Sequence, residues 1–308
     1  MAAYKSVLVI GGAGFVMSNL AQRLNELDHS VTIVDDFSFG FESNIPDDVT
    51  FIKSRYQSLD ESFIKSFDVI VFGMCSNIIF AMEHPIETFI NNSLDAMEFI
   101  DRCGDKKIIY SSTSSVYGGA FDYPTKEDEI QKCYNAYDSS KYILELYLKK
   151  RGNYTTLRLS NVYGERQRPE NPYCGVMGKF LDCALNGESM EIYGDGKSTR
   201  DYTYVGDTVD AFVMAVEQDA KNTEINVGTG IETSVIDLAQ MISGILNVPT
   251  SIKYVNKRSI DRISRRQLDI SRAEKLLGWK PMRGLVHGIK MTSIWMKQQQ
   301  KKNEKHSR

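Results

Sequence analysis

The chain has 308 residues, enough for one large domain or two small ones with a full hydrophobic core. Apolar residues make up 42% of it and charged residues 25%, the composition of an ordinary soluble globular protein. Its 37 basic and 40 acidic side chains give a net charge of −3, so we expect neither nucleic acid nor an anionic membrane surface as a partner.

Membrane and metal signals are weak throughout the sequence. No apolar run reaches the roughly 18 to 20 residues that a bilayer span requires. The first ten residues run into a strand-like segment without a cleavage site, so we expect a cytoplasmic protein. The five cysteines form no CxxC pair and have no histidine cluster beside them, so we predict free thiols and no metal site.

Short apolar runs alternate with helical patterns through the first half of the chain. The runs predict buried strands at Ser6–Ile10, Ser30–Asp35, Val69–Phe72 and Lys107–Ser111. Helical periodicity covers Phe15–Glu26, Ile86–Cys103 and Tyr137–Lys150. Strands separated by helices in this way predict an α/β fold with a Rossmann-type, doubly wound parallel sheet.

The second half, after Leu159, has loops rich in glycine and proline, short strands and further helices. These helices are predicted near Tyr173–Asn186, Asp207–Gln218, Ser234–Asn247 and Leu285–Gln299. We predict that residues 1–160 form the sheet domain and that residues 161–296 form a smaller α/β lobe, interleaved with it, at the carboxyl edge of the sheet. The polar residues 297–308 are predicted to be a disordered tail.

A glycine-rich loop joins the first predicted strand to the first helix. Gly11 and Gly14 allow a tight turn, and Phe15 and Val16 open the helix, where backbone N–H groups can bind a pyrophosphate. Met17 stands where this spacing normally has a third glycine. We expect either a displaced helix or a methionine conformation that clears the cofactor.

The second predicted strand ends in two acids, Asp35 and Asp36. An acid at Asp35 can accept hydrogen bonds from the ribose hydroxyls of an adenosine and would repel a 2′-phosphate. The loop and the acids together therefore predict a binding site for NAD rather than NADP.

Tyr137 and Lys141 are four residues apart on a predicted helix, so they share one face. They follow a strand that ends in Thr113 at the expected cofactor cleft. The three could bind a substrate hydroxyl, with Lys141 lowering the pKa of the tyrosine, Tyr137 taking the proton and Thr113 holding the oxygen. Tyr193 and Lys197 have the same spacing, but the glycines between them prevent a helix, so we assign the first pair.

The chain contains, in this order, the segments GGAGF, VDD, SSTSSVYG, YDSSK, LRLSNVYG, YGDGKSTRDYTYV and LDISRAEKLLGWKP. Over residues 5–295 it resembles the extended short-chain dehydrogenase/reductase family, and within it the nucleotide-sugar epimerase/dehydratase branch, which includes UDP-glucose 4-epimerases. The resemblance implies a Rossmann domain with tightly held NAD and a smaller lobe that binds a nucleoside-diphosphate sugar, with a UDP-sugar favoured.

The resemblance also implies roles for individual residues. It gives Thr113, Tyr137 and Lys141 the catalytic roles argued above, and it places Asn92 beside the cofactor with Tyr137 and Lys141. It implies substrate contacts from Asn161, Arg200, Arg258 and Asp261. Asn161 would reach the sugar or its diphosphate, the two arginines would bind the diphosphate, and Asp261 would hold the nucleotide ribose.

A homodimer is a further implication of the resemblance. Relatives pair through a four-helix bundle formed by the two helices predicted here at Ile86–Cys103 and Tyr137–Lys150. The apolar residues that could supply this seam, although some must face the protein's own sheet, are Phe89, Met97, Ile100, Ile143, Leu144 and Leu148.

Four departures from the branch line the expected cofactor groove. The stretch Phe72–Cys75 stands where the branch usually has a His-Leu-Ala-Ala sequence, and Arg55 stands where an aspartate usually lies beside the adenine. Asp95 and Ala96 stand where the branch commonly has Gly-Thr, and Met17 is the fourth departure. The catalytic and sugar-side motifs are intact.

The two residues after Thr113 decide the predicted reaction. Dehydratases of the branch carry Asp-Glu there and related decarboxylases a glutamate at the second place, whereas this chain has Ser114 and Ser115. We therefore predict epimerisation at C4 of a UDP-hexose through a transient 4-keto sugar, in which hydride leaves C4 and returns to the opposite face.

Several alternatives to 4-epimerisation stay open. The chain could be a 4-keto-sugar reductase that uses exchangeable NAD(P)H, a nucleotide-sugar dehydratase or decarboxylase, or a regulator that binds NAD or a nucleotide sugar without turnover. Arg265 and Arg266 lie near the stretch that closes over the sugar in relatives, which leaves an acidic sugar open.

Overall fold

The computed structural model describes residues 4–171, 174–258 and 261–306. The strands found there are β1 (Ser6–Ile10), β2 (Ser30–Asp35), β3 (Thr50–Lys53), β4 (Val69–Phe72), β5 (Lys107–Thr113), β6 (Tyr154–Leu159), β7 (Asn161–Tyr163), β8 (Met190–Tyr193), β9 (Thr199–Tyr204), β10 (Thr223–Val227), β11 (Glu232–Ser234) and β12 (Ile252–Val255). The helices are α1 (Phe15–Glu26), α2 (Glu61–Lys65), α3 (Ile78–Glu83), α4 (Pro85–Phe89), α5 (Asp95–Arg102), α6 (Ala136–Arg151), α7 (Val176–Asn186), α8 (Val205–Glu217), α9 (Val235–Leu246), α10 (Ser271–Leu277) and α11 (Leu285–His306). A π-helical turn, Ile90–Leu94, joins α4 to α5, and short 3-10 turns lie at Glu42–Asn44, Tyr56–Ser58 and Ser114–Tyr117.

Seven parallel strands form the main sheet in the order β3-β2-β1-β4-β5-β6-β10. Strands β1 and β4 at the centre are almost entirely apolar, because helices cover both faces of the sheet. In β1, Val7 and Val9 belong to the core on the side of α1 and α8, while Leu8 and Ile10 belong to the core on the side of α5 and α6. The predicted Rossmann-type, doubly wound sheet is confirmed.

The remaining strands form two small sheets. One has the order β11-β9-β7, and the other is the pair β12-β8. Between β9 and β11 in the sequence, α8 and β10 return the chain to the main sheet, where β10 pairs with β6. Elements of the main sheet and of the smaller lobe therefore alternate along this part of the sequence.

The C-terminal helix corrects one prediction. Residues 297–306, predicted as disordered, are helical and continue α11 to His306. Lysine, glutamine and glutamate are good helix formers, and buried Ile289, Thr292 and Met296 anchor the preceding turns. The helix predicted near Tyr173 begins at Val176 in the described part, and Tyr173 itself lies outside the described residues.

An exposed apolar strip runs along the outside of α4, the π-helical turn and α6. Its members are Ile86, Ile90, Leu94, Ile143 and Leu146. Of the residues proposed for the dimer seam, Ile100, Leu144 and Leu148 are fully buried in the chain's own core, because they face the sheet. Ile143 is the one that lies on the strip.

The described ranges show neither a membrane-spanning helix nor a metal cluster. None of the helices there is long and apolar enough to cross a membrane. Nor do these ranges bring together three or more side chains of the types that ligate metals.

Candidate active site

A groove of about 400 Å³ opens at the carboxyl ends of β1, β2, β4 and β5. Its wall is built by the loops that follow these strands and by the first turns of α6. Gly11, Asp35, Met74, Thr113 and Tyr137 all line it. Ligands of doubly wound folds bind at this edge of the sheet, so the topology places the predicted cofactor residues around one space.

The loop after β1 needs glycine for steric reasons. Gly11 has a φ of +80°, and a Cβ there would lie 2.9 Å from the backbone nitrogen of Met74. Gly14 is the N-cap of α1 and supplies no side-chain hydrogen bond to the helix. The first N–H groups of α1, next to Phe15 and Val16 in the groove wall, therefore face a site suited to an anion.

Asp35, at the end of β2, is hydrogen-bonded to the backbone of this loop. Its Oδ2 accepts the Ala13 N–H at 3.0 Å and its Oδ1 accepts the Phe37 N–H at 2.8 Å, and burial raises the pKa of the carboxyl despite these bonds. Asp36 lies nearer the solvent, with its Oδ2 3.5 Å from Nε of Arg55. Burial would raise the pKa of Asp36, but hydrogen bonds to Ser38 and the Arg55 charge lower it.

Two departures from the branch compensate each other in the groove floor. Met17 is only 3% exposed, and its side chain lies over Gly73. A Cβ at position 73 would lie 2.3 Å from Cγ of Met17 and 2.5 Å from its Sδ. The Met17 side chain thus fits here because residue 73 is a glycine.

The predicted catalytic residues meet at one point of the groove. Thr113 is the last residue of β5, while Tyr137 and Lys141 are one turn apart on α6, and all three line the groove. The Lys141 Nζ donates to the Ser111 carbonyl at 2.6 Å and lies 4.6 Å from the ring centre of Tyr110. Burial lowers the pKa of Lys141. Burial raises the pKa of Tyr137 well above its usual value, and the Thr113 hydroxyl opposes that rise.

A buried ion pair links β6 to α6, and Ser112 of β5 is bonded to the same carboxylate. This pair was not predicted from the sequence. Nη2 of Arg158 lies 2.6 Å from Oε2 of Glu145, and both side chains are almost fully buried. The Ser112 hydroxyl also donates to Glu145. The pair spans β6, α6 and β5, so it holds the strand end that carries Thr113 in register with the helix that carries Tyr137.

Asn92, predicted to lie beside the cofactor, is placed behind the groove wall. This side chain is buried and does not line the groove. It donates to the Ser76 carbonyl at 3.0 Å and to the Ser140 hydroxyl at 3.1 Å, while its Oδ1 accepts the Ser76 N–H at 2.6 Å. Its neighbour Asn91 lines the groove instead. Asn92 therefore joins the groove wall to α6.

The residues predicted to bind substrate gather in the smaller lobe. Arg258 forms a two-bond ion pair with Asp261, both distances being 2.9 Å, and its guanidinium stacks on the ring of Tyr193 at 4.1 Å. Burial lowers the pKa of Arg200, and the charges of Asp261 and Arg258 also act on it, the first raising and the second lowering this pKa. Asn161 is on β7, which pairs with the strand of Arg200. None of the four predicted residues lines the described groove wall.

Arg266 is bonded to the chain's own backbone. It is buried, and its guanidinium donates to the carbonyls of Ser114 and Gly118. Burial lowers its pKa to about 10. Arg265 pairs with Glu232 at 2.6 Å on the surface. The donors of Arg266 are thus used on the turn that follows Thr113.

These features fit NAD. A carboxylate stands at the end of β2 for the ribose, an uncapped helix N-terminus faces the pyrophosphate position, and a Tyr-Lys pair lies across the same groove. Residues 7–228 match the family model described as the NAD dependent epimerase/dehydratase family. The chain belongs to this family. Its NAD-dependent, nucleotide-sugar chemistry agrees with the expectation from the sequence.

Individual relatives cover nearly the whole chain. A putative UDP-glucose 4-epimerase of Methanocaldococcus jannaschii is 35% identical over 304 residues, 94% of this chain and 98% of that protein. A UDP-N-acetyl-alpha-D-glucosaminuronate decarboxylase of Bacillus cytotoxicus is 31% identical and covers 96% and 98%. The structure is similar to that of a UDP-N-acetylglucosamine 4-epimerase from Methanobrevibacter ruminantium in complex with UDP-N-acetylmuramic acid. That match has a TM-score of 0.90 and 32% identity, and covers 96% of this chain and 99% of the other.

Proposed function

We propose that the protein interconverts the C4 epimers of a UDP-hexose through a transient 4-keto sugar. The observation that carries the proposal is the distribution of acids along the groove. Among the described residues of its lining, the carboxylates are Asp35 and Asp36 at the end of β2. Thr113 ends β5, three strands away in the order β2-β1-β4-β5, which corresponds to roughly 14 Å.

Loss of water from a hexose needs more than the catalytic residues provide. It requires removal of the C5 proton and protonation of the leaving oxygen at C6, so it needs groups that exchange protons near neutral pH. Ser114 and Ser115 are hydroxyls and do not ionise in that range. Epimerisation makes its acid–base demand at the C4 hydroxyl alone, and Tyr137 with Thr113 and Lys141 meets that demand.

The chain's own residues divide the work at C4. Bound NAD supplies the acceptor and donor of hydride that a reversible oxidation at C4 requires. Tyr137 takes the proton of the C4 hydroxyl and returns it, and Thr113 holds the same oxygen by a hydrogen bond. Burial disfavours the phenolate of Tyr137, and the hydrogen bond with the Thr113 hydroxyl opposes that effect. In this proposal the ammonium of Lys141, one turn further along α6, favours the phenolate as well.

A UDP-sugar is the proposed substrate. The relatives described above are named for UDP-sugars, which supports uridine diphosphate as the nucleotide. The arginines of the smaller lobe suit a diphosphate. In this proposal Arg258 and Arg200 bind the diphosphate, Asp261 holds the ribose and Asn161 reaches the sugar. The ion pair between Arg258 and Asp261 must then open or rearrange when the nucleotide enters.

Product analysis by NMR in deuterated water tests the reaction. UDP-glucose, UDP-N-acetylglucosamine and UDP-glucuronic acid are each incubated with the protein and with Tyr137→Phe as the inactive control. We expect at least one sugar to form its C4 epimer, without deuterium at C5 or C6, because neither C–H bond is broken by proton transfer to solvent.

Each alternative has its own signature in the same experiment. A 4-keto-6-deoxy sugar or deuterium at C5 would assign the chain to the dehydratases, and a UDP-pentose formed with loss of carbon dioxide would assign it to the decarboxylases. Consumption of added NADH would indicate a 4-keto-sugar reductase. Bound NAD with no turnover of any sugar would indicate a binding protein.

A further inference from the structure

A second cavity, of about 160 Å³, adjoins the turn that follows Thr113. Its wall includes Ser115, Tyr134 and Asp138, and on the other side the apolar residues Ile78 and Met82 of α3. The first turn of α6 separates this cavity from the main groove, since Tyr137 lines the groove and Asp138 lines the cavity.

Asp138 is a buried acid, and one of its two carboxyl oxygens has no hydrogen bond of ordinary geometry in the described part of the chain. The side chain is 1% exposed. Its Oδ2 accepts the Tyr134 N–H at 3.2 Å and an N–H of the Asn135 side chain at 2.9 Å. In the described part of the chain its Oδ1 is buried and has no hydrogen bond of ordinary geometry. A buried carboxylate oxygen without a partner is costly, so its retention needs a reason.

Three hydroxyl groups connect this acid to the main groove. The Thr113 hydroxyl interacts with the oxygen of Tyr137 and lowers the pKa of the tyrosine. Oγ1 of Thr113 lies 3.0 Å from Oγ of Ser115. The Ser115 hydroxyl in turn interacts with the carboxyl of Asp138 and lowers its pKa. These contacts give the order Tyr137, Thr113, Ser115, Asp138 from the groove to the cavity, and the central link between Thr113 and Ser115 is a hydrogen bond of ordinary length.

We propose that Asp138 is the proton-accepting end of this path and acts through Ser115 and Thr113 to set the protonation of Tyr137. As Tyr137 takes the proton of the C4 hydroxyl, its own O–H proton passes to Thr113. The Thr113 proton passes to Ser115, and that of Ser115 passes to the carboxylate of Asp138. Each O–H bond that breaks is matched by one that forms, no electrons are transferred, and the return step reverses the sequence. Asp138 is a positioning residue, and the inference rests on the proposed function.

The surroundings of Asp138 keep it able to accept a proton. Burial raises its pKa, while Ser115, the Tyr134 N–H, Asn135 and the positive charge of Arg266 oppose that rise. The other titratable groups that face it are Cys133 on the preceding loop, Tyr137 on α6 and Arg262 in the cavity wall. The α3 side of the cavity wall, Ile78 and Met82, carries no charge.

Steady-state kinetics of four variants test the relay. Asp138→Asn and Ser115→Ala should each lower kcat about tenfold or more with little change in KM, because proton transfer and not binding is impaired. The double variant should be no slower than either single variant, since both interrupt one path. Asp101→Asn, an exposed acid on the neighbouring α5, is the matched control and should leave kcat unchanged.

The pH profile distinguishes a relay from a structural role. Protonation of Asp138 removes the acceptor, so the wild-type kcat should fall on the acid side as pH drops through the raised pKa of this group, and Asp138→Asn should lack that limb. A change in KM alone, a multiplied loss in the double variant, or an unchanged acid limb in Asp138→Asn would overturn the proposal.

A measurement without turnover separates this inference from the proposed function. Phenolate absorbance of the NAD-bound protein, taken as the difference from its Tyr137→Phe counterpart, follows the titration of Tyr137. We expect Asp138→Asn to lower that pKa, because the nearby negative charge raises it. Identical titration in wild type and Asp138→Asn would refute the coupling, even if no UDP-sugar were turned over.

Discussion

Replacing Gly73 with alanine places a methyl group 2.3 Å from Cγ and 2.5 Å from Sδ of Met17. Both distances are far below van der Waals contact, so the methionine must move. It packs in the core between the sheet and α1 and also lines the groove, so it has two directions to go. Movement into the core overpacks the protein, and movement into the groove takes space from NAD.

Overpacking of this kind costs about 1 to 3 kcal/mol. If the whole cost falls on cofactor binding, the Kd for NAD rises about 5- to 150-fold, since 1.4 kcal/mol is tenfold. If the methionine moves into the core, the free energy of unfolding falls by the same amount. We therefore expect the sum of the two losses to be about 1 to 3 kcal/mol.

NAD titration by calorimetry and urea unfolding of the NAD-free protein measure the two parts. Gly244→Ala is the matched control, because no atom lies within 4 Å of the added methyl on α9. Met17→Ala is destabilising by itself because the side chain is buried, but adding Gly73→Ala to it should cost almost nothing further. Wild-type affinity and stability in Gly73→Ala would refute the steric coupling.

Two further predictions concern the catalytic tyrosine and the oligomeric state. Tyr137→Phe should lower kcat by roughly 10² to 10⁴, as for a lost general base. Tyr193→Phe keeps the ring under Arg258 and should change kcat little, so equal losses at the two tyrosines would show that the site is assigned wrongly. The exposed apolar strip predicts a homodimer at micromolar concentration in light scattering, and Ile90→Glu should shift it to monomer. A monomeric wild type would contradict the dimer.

The main sheet could be predicted because its strands are buried on both faces. Such strands are rich in apolar residues, and β1, β2 and β4 have the bounds that this pattern predicts. The strand at Lys107 continues two residues beyond the prediction, to Thr113, because polar Ser112 and Thr113 still pair with β6. The position of Tyr137 and Lys141 on one helix face in the groove was predictable for a related reason, since their i, i+4 spacing is local.

Residues whose roles depend on distant contacts could not be predicted. Asn92 has the residue type that the resemblance requires, but the π-helical turn Ile90–Leu94 takes an extra residue per turn, and Asn91 faces the groove. Asp138 follows the catalytic tyrosine directly, and nothing in its spacing indicates that it meets Ser115. The partner of Arg266 is equally remote in the sequence.

The position of Arg266 in the sequence determines when, during synthesis, the turn after Thr113 can gain its hydrogen-bond partner. It bonds to the carbonyl of Ser114, which lies 152 residues earlier, and the carbonyl of the next residue, Gln267, accepts the Thr125 N–H. A ribosome that adds roughly 5 to 20 residues per second needs roughly 8 to 30 s to cover that distance. During this interval β1 to β6 have been synthesised, but the turn after Thr113 still lacks its guanidinium partner. The nascent chain can therefore assemble its nucleotide-binding strands well before the reaction centre reaches its final shape.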